Sequence, residues 1–147
     1  MDDLFLMGEA LIEARAAGRE GEVPVGALIC REGKILTRAH NRLIAMNDPT
    51  AHAEILAIRE ACRRIGNCRI PECDLYVTLE PCAMCLGAMV QARIRRLIYG
   101  AADPKGGAVM SIMRFPFERT NHRIEIKGGI LAGECGTILK DFFRARR

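Results

Sequence analysis

His52-Ala53-Glu54 and, further along the chain, Pro81-Cys82-Ala83-Met84-Cys85 bring one imidazole, two spaced thiols and a free carboxylate into one sequence. Those are the parts of a catalytic zinc site. Zinc is tetrahedral and takes nitrogen and sulfur ligands, and a catalytic zinc keeps three protein ligands while leaving the fourth position to water. His52, Cys82 and Cys85 would fill three positions. Glu54 is then better placed as a proton carrier than as a ligand, because water activated near neutral pH needs an acceptor for its proton. The same residues allow two non-catalytic uses. A structural zinc is one, but it is usually closed by four protein ligands and no fourth is obvious. A redox Cys-x-x-Cys is the other, and it would not call for His52-Ala53-Glu54.

Helix geometry constrains how these groups can meet. Two residues between Cys82 and Cys85 put the thiols almost one turn apart on the same face if a helix begins there. Pro81 suits a helix entry, and the positive end of the first turn favours the thiolate that zinc needs. Residues two apart on a helix do not face each other, so His52 and Glu54 are not a pair of metal ligands. They can converge on one site only if the helix opens at that point. Asp48-Pro49-Thr50 just upstream makes a helix entry plausible.

The surrounding chain reads as helices alternating with short β-rich runs, without repeats, low-complexity stretches or linkers, which predicts one compact α/β domain. Residues 4–17 have helical spacing of apolar side chains, stopped by Gly18. Residues 23–30 and 34–39 read as a hairpin turned at Arg31-Glu32-Gly33. The helix carrying His52 should continue to Ile65, and residues 74–79 form a buried strand delivering Glu80-Pro81 to a second motif helix over 82–91. Residues 96–99 are another strand, Gly106-Gly107 marks a loop, 123–127 alternate as an edge strand, and 134–146 make a closing amphipathic helix.

Composition narrows the function classes. The chain has 147 residues, half of them hydrophobic, which suffices for one real core. It has no stretch approaching a membrane span, and Met1-Asp2-Asp3-Leu4 lacks the basic start of a secretory signal, so a cytoplasmic location is expected. Seven cysteines are then read as reduced thiols plus a metal site and not as a disulfide framework. Cys30, Cys62, Cys68, Cys73 and Cys135, and likewise His40, need no catalytic role; Cys68 and Cys73 as a second metal half-site would lack a partner pair. A net charge of +4 is compatible with an anionic partner without establishing one. Arg93, Arg95 and Arg96 cluster after the second motif and Lys140, Arg144, Arg146 and Arg147 at the C-terminus, where the plain alternative is a solvated helix end.

These motifs, together with segments outside them, resemble the bacterial tRNA-specific adenosine deaminases of the cytidine deaminase superfamily, which convert the wobble adenosine of an anticodon to inosine. The resemblance covers nearly the whole chain. It includes Glu22-Val23-Pro24-Val25-Gly26-Ala27, His40-Asn41-Arg42, Asp48-Pro49-Thr50-Ala51-His52-Ala53-Glu54, Leu75-Tyr76-Val77-Thr78-Leu79-Glu80-Pro81-Cys82, Asp103-Pro104-Lys105-Gly106-Gly107, Asn121-His122-Arg123 and Asp141-Phe142-Phe143-Arg144. The zinc motifs identify the superfamily, and the segments outside them point to the RNA-editing branch. The resemblance implies a three-layer α/β/α cytidine-deaminase-like domain over 1–147, with a central mixed sheet of about five strands. It also implies one zinc ion per subunit on His52, Cys82 and Cys85. Glu54 is implied as general acid and base, taking a proton from the attacking water, donating to N1 of adenine and protonating the departing ammonia.

Substrate contacts are implied residue by residue. Asn41 is to hydrogen-bond the flipped base, the Ala53 backbone to touch the reacting centre, and Val23 with Leu79 to wall the ring; plain core packing is the alternative for the last two. Asp103 and Lys105 would sit beside the nucleotide preceding the target, with Asp103 able to accept from a ribose 2′-hydroxyl; a turn aspartate before proline is the commoner role. Phe142 or Phe143 would stack on an anticodon base, with one of the pair expected to be buried, and Arg144 would assist. Asn121 and His122 are implied as RNA contacts, and a satisfied loop histidine is the alternative for His122. The 113–119 stretch matches nothing in the family pattern. The implied partners are a tRNA anticodon stem-loop, with an arginine tRNA as the expected substrate, and a second copy of the chain in a homodimer. The rival reading is a zinc deaminase of a free base or nucleoside such as guanine or cytosine, which would need a closed pocket.

Overall fold

β3 (Cys73–Leu79) is buried along almost its whole length because both of its faces are covered. Its side chains alternate between two cores, Leu75 and Val77 on one side and Tyr76 on the other, as strand pleating requires. In the computed structural model, which describes residues 1–146, β3 is the centre of a five-stranded mixed sheet in the order β2-β1-β3-β4-β5. Arg147 of the C-terminal basic group lies outside the described residues.

β1 (Gly26–Arg31) and β2 (Lys34–His40) form the expected hairpin, turned at Glu32 and Gly33, whose φ values of 52° and 74° are the two positive angles of a type I′ turn. β1 runs antiparallel to β3, whereas β3, β4 (Arg96–Ala101) and the edge strand β5 (Glu125–Lys127) are parallel. Two helix layers complete the domain. α1 (Asp3–Arg19) and α5 (Ala132–Arg144) cover one face, packing Leu6, Met7 and Cys135 on Leu28, Tyr76 and Ile98. α3 (Ala53–Ile65) and α4 (Ala83–Ala92) cover the other, packing Ala57, Ile58, Leu86 and Met89 on Ile29, Leu75 and Leu97. α1 lies so close to β1 that a Cβ at Gly26 would fall 2.0 Å from the Ala10 carbonyl oxygen, so only glycine fits there.

Three details differ from the sequence expectation. β1 begins at Gly26 and not at Val23, because Val23 belongs to a loop bent by the Val25 amide donating to the Val23 carbonyl at 2.8 Å. A single helical turn, α2 (Leu43–Met46), lies between the hairpin and α3. Neither Phe142 nor Phe143 is buried: α5 buries only Cys135, with Ile138 and Leu139 half-covered, and leaves Phe143 50% exposed. Its last turn therefore carries the aromatic pair at the surface, ring centroids 5.3 Å apart and edge to face. The 113–119 stretch contains a 3-10 turn, Phe117–Arg119, and packs Phe115 and Phe117 against the core on the α3 and α4 side of the sheet. No helix among the described residues is long and apolar enough to cross a membrane.

Candidate metal centre and reaction pocket

The α3 and α4 N-termini converge, and the residue at each cap position is a prospective ligand. His52 caps α3 and Cys82 caps α4, both with extended backbone and neither making a side-chain cap bond. Cap side chains ordinarily satisfy free amides of the first turn. Here they turn toward each other instead: His52 Nδ1 lies 3.7 Å from Cys82 Sγ and 3.5 Å from Cys85 Sγ. Two ligands sharing a tetrahedral zinc at ordinary Zn–N and Zn–S lengths are ~3.6 Å apart. Both imidazole–thiol separations match zinc, and the three ligand atoms, all within 4.8 Å of one another, are the metal-competent cluster found among the described residues.

This arrangement answers how His52 and Glu54 reach one site. His52 stands outside the helix while Glu54 is in its first turn, so helical spacing does not separate them. Glu54 is 4% exposed, and burial pushes its carboxyl up to about 7, opposed by its own backbone amide and by His52. The Cys82 thiol is pulled down to about 4 by hydrogen bonds from Cys85 and His52, and Cys85, next to that thiolate, is raised. His52 is raised by its bond to Cys82. The thiols, the imidazole and the carboxyl thus share protons over a few ångströms, which is the donor chemistry that a dication would replace.

A cavity of about 500 Å³ opens over this centre, with His52, Glu54 and Cys82 at its floor and Asn41, Val23, Leu79, Asp103 and Phe142 around it. Asn41 is nearly buried: its Oδ1 accepts the Ala53 amide at 2.8 Å and its Nδ2 donates to the Val23 carbonyl at 3.1 Å. One amide proton remains for a bound base. Of the Ala53 backbone, the N–H is committed to Asn41, and Ala53 is fully buried. Val23, 36% exposed, and the half-buried Leu79 form walls and are not plain core residues.

A second groove of about 550 Å³ shares Val23, Leu79 and Asp103 with the cavity and runs along Lys105, Lys140, Phe143 and Arg144. Asp103 takes the turn role as well as the groove position, its Oδ1 accepting the Lys105 amide at 3.0 Å. Asn121 and His122 are not brought to either space. His122 Nε2 bonds the Ile94 carbonyl at 2.7 Å, just before β4 begins and therefore at the end of the sheet away from Cys82. The satisfied loop histidine is what the fold builds. Arg95 and Arg96 are likewise at that far end, paired with Asp74 and, for Arg96, with Asp3. Arg93 is the left-handed cap of α4 and donates to the Val90 carbonyl. All seven cysteines are free.

Two buried carboxylates escaped the reading of the sequence. Glu22, 2% exposed, accepts the Ile44 and Ala45 amides at 3.1 and 2.9 Å and so caps α2 beside the cavity. Glu80, also 2% exposed, accepts amides of Asp103, Val109, Met110 and Ser111 at 3.0–3.1 Å, and the Ser111 hydroxyl. Burial would raise its carboxyl, but the Ser111 hydroxyl and the Met110, Asp103 and Ser111 amides outweigh that and hold it below its ordinary value. The signal was present as an acidic residue directly beside the Pro-Cys motif.

The chain belongs to the MafB19-like deaminase family, whose model matches residues 1–147. It is 52% identical over 139 residues to the tRNA-specific adenosine deaminase of Agrobacterium fabrum, covering 94% of this chain and 91% of that protein. Among solved structures, it superposes with a TM-score of 0.88 on a protein from a study of A-to-I editing by tRNA:A34 deaminases at the wobble position. That match is 50% identical and covers 92% of this chain and 99% of the other. A guanine deaminase from Bacillus subtilis is more distant, at 32% identity and a TM-score of 0.67, covering 78% of this chain and 84% of the other.

Proposed function

We infer that this protein is a zinc-dependent hydrolytic deaminase that converts the wobble adenosine of a tRNA anticodon to inosine, with an arginine tRNA as substrate. The observation that carries the reading is the junction of the reaction cavity with a groove lined by Lys105, Lys140, Phe143 and Arg144. A free base needs a closed pocket, whereas an open channel with cations and an exposed aromatic ring suits a single-stranded loop with one base turned inward.

Zinc on His52, Cys82 and Cys85 would supply the Lewis acidity that makes water nucleophilic near neutral pH. Glu54 would take the proton from the attacking water and pass it to adenine N1 as the C6–O bond forms. It would then take the remaining proton from the new C6 hydroxyl and deliver it to the amino group as the C6–N bond breaks, so that adenosine and water give inosine and ammonia. Burial of Glu54 suits both directions, since a carboxyl poised near neutrality can accept and release one proton. Asn41 would orient the base, with Val23 and Leu79 on its faces. Asp103, Lys105, Phe142 and Arg144 would meet the flanking nucleotides. Asn121 and His122, implied as further RNA contacts, have no route to this cavity within one subunit.

The homodimer implied by the family fits the exposed apolar surface made by Met84 on the first turn of α4 and by Met110, Ile112 and Met113 on the adjoining loop. On this reading the enzyme works in the cytoplasm, alongside tRNA. The test is direct: incubate the purified protein with an arginine tRNA bearing A at the wobble position, and separately with free adenosine, cytidine and guanine. Inosine formed in the anticodon supports the proposal, and ammonia released only from a free base defeats it.

A further inference from the structure

Glu80 does none of the proposed chemistry, yet it is a carboxylate withdrawn from water next to the reaction cavity. Such a group is costly unless its lone pairs are taken, and here they are. Oε1 accepts the Asp103 amide at 3.1 Å and the Ser111 hydroxyl. Oε2 accepts the successive amides of Val109, Met110 and Ser111 at 3.0, 3.0 and 3.1 Å. Consecutive amides of this kind form a concavity for an anion, and the chain fills it with its own side chain. One carboxylate therefore closes both ends of the 103–111 loop. Gly107 stands directly over it: a Cβ there would lie 2.3 Å from Glu80 Cδ. Inside the loop, the Gly107 amide returns to the Asp103 carbonyl at 3.0 Å and the Lys105 amide to Asp103 Oδ1 at 3.0 Å, so Lys105 is placed relative to Asp103. Asp103 borders both the cavity and the groove, and Lys105 borders the groove.

We propose that Glu80 is a positioning residue that holds the 103–111 loop in the shape presenting Asp103 and Lys105 to the polynucleotide, and so governs RNA affinity and not the chemical step. This rests on the tRNA-deaminase reading above. The strand end that leads to the metal ligands does not depend on the carboxylate: the Glu80 amide bonds the Ala101 carbonyl of β4 at 2.8 Å, so the backbone entering the Cys82 motif is anchored to the sheet. A glutamine at this position keeps one acceptor oxygen and turns an amino group toward donors, leaving either the Oε1 pair or the Oε2 trio unsatisfied.

The experiment compares steady-state deamination of an anticodon stem-loop by the wild type, Glu80→Gln, Gly107→Ala and Ser111→Ala, with metal content measured on each. KM is expected to rise on the order of tenfold in Glu80→Gln and Gly107→Ala, and less in Ser111→Ala, which loses one donor side chain. kcat should stay within about twofold and metal content should not change, a split that loss of folded enzyme would not produce. The Glu80→Gln/Ser111→Ala double variant should show less than the sum of the two effects, since both break one network. Should Glu80→Gln fail to fold, Gly107→Ala reaches the same carboxylate from the loop side and carries the test. Wild-type KM in both Glu80→Gln and Gly107→Ala, or loss of kcat or metal at unchanged KM, overturns the proposal alone. A wild type inactive on the stem-loop overturns it together with the substrate reading.

Discussion

Asn41 Oδ1 accepts the Ala53 amide at 2.8 Å, so a residue at the end of the hairpin fixes the first turn of the helix that carries Glu54. The same side chain donates to the Val23 carbonyl at 3.1 Å and ties the cavity wall to its floor. An amide side chain is suited to both tasks because it donates and accepts at once.

Asn41→Ala should therefore lower both activity and stability. Losing two buried hydrogen bonds and leaving the Ala53 amide unpaired is expected to cost about 1–3 kcal/mol of folding free energy. kcat/KM should fall further than stability accounts for, because a base-orienting donor goes too. Chemical denaturation and stem-loop kinetics on the same preparation separate the two; wild-type behaviour in both would sink the pocket assignment.

Glu54→Ala should abolish deamination, by at least about 100-fold, while leaving metal bound. The ligand set is complete without it, as His52 already sits at tetrahedral separations from Cys82 and Cys85 and the three form one cluster. Metal content by elemental analysis is the deciding measurement, and loss of metal with the carboxylate would make Glu54 a ligand.

Lys105→Ala and Phe142→Ala should weaken stem-loop binding by different physics. Removing a groove cation should reduce the salt dependence of binding, its log–log slope falling by about 1 if Lys105 meets a phosphate. Removing an aromatic wall should raise Kd without changing that slope, by an amount set by base stacking of about 1–3 kcal/mol. Identical salt slopes in the wild type and Lys105→Ala would remove Lys105 from the RNA surface.

Asp3 ties α1 to the sheet through the Tyr76 hydroxyl on β3, Lys127 on β5 and Arg96 on β4. Burial raises its carboxyl, but these partners together outweigh that and hold it below the ordinary value. A depressed carboxyl contributes stability above its unfolded pKa of about 3.9, which is lost as pH falls through the lower folded value. Asp3→Asn should lower Tm at neutral pH by about 2–4 °C if the cluster is worth about 1 kcal/mol. The gap between variant and wild type should close as pH drops below the ordinary aspartate range. A gap that widens in acid would reverse the sign and refute the account.

Local spacing made the metal centre legible. Cys82 and Cys85 lie one helical turn apart whatever the rest of the chain does, and the mainly apolar run over residues 74–79 announced a buried strand. Where His52 departs from the helix while Glu54 remains in it could not be read, because a cap is decided by what its side chain meets, and that partner arrives from α4. The aromatic pair of α5 was misjudged for a related reason: periodicity says which residues share a face, and only packing says where the sheet beneath that face ends.

What the residues determined by themselves was therefore the reaction type: an imidazole, two thiols and a proton-carrying carboxylate at spacings that short-range geometry enforces. Tertiary structure decided which other polar groups serve that centre. It buried Glu22 and Glu80 under amides far away in sequence, gave Asn41 two backbone partners, and sent His122 to the opposite end of the sheet. A carboxylate or an imidazole has a function only through the donors and acceptors around it, and here those come from elements that no local pattern brings together.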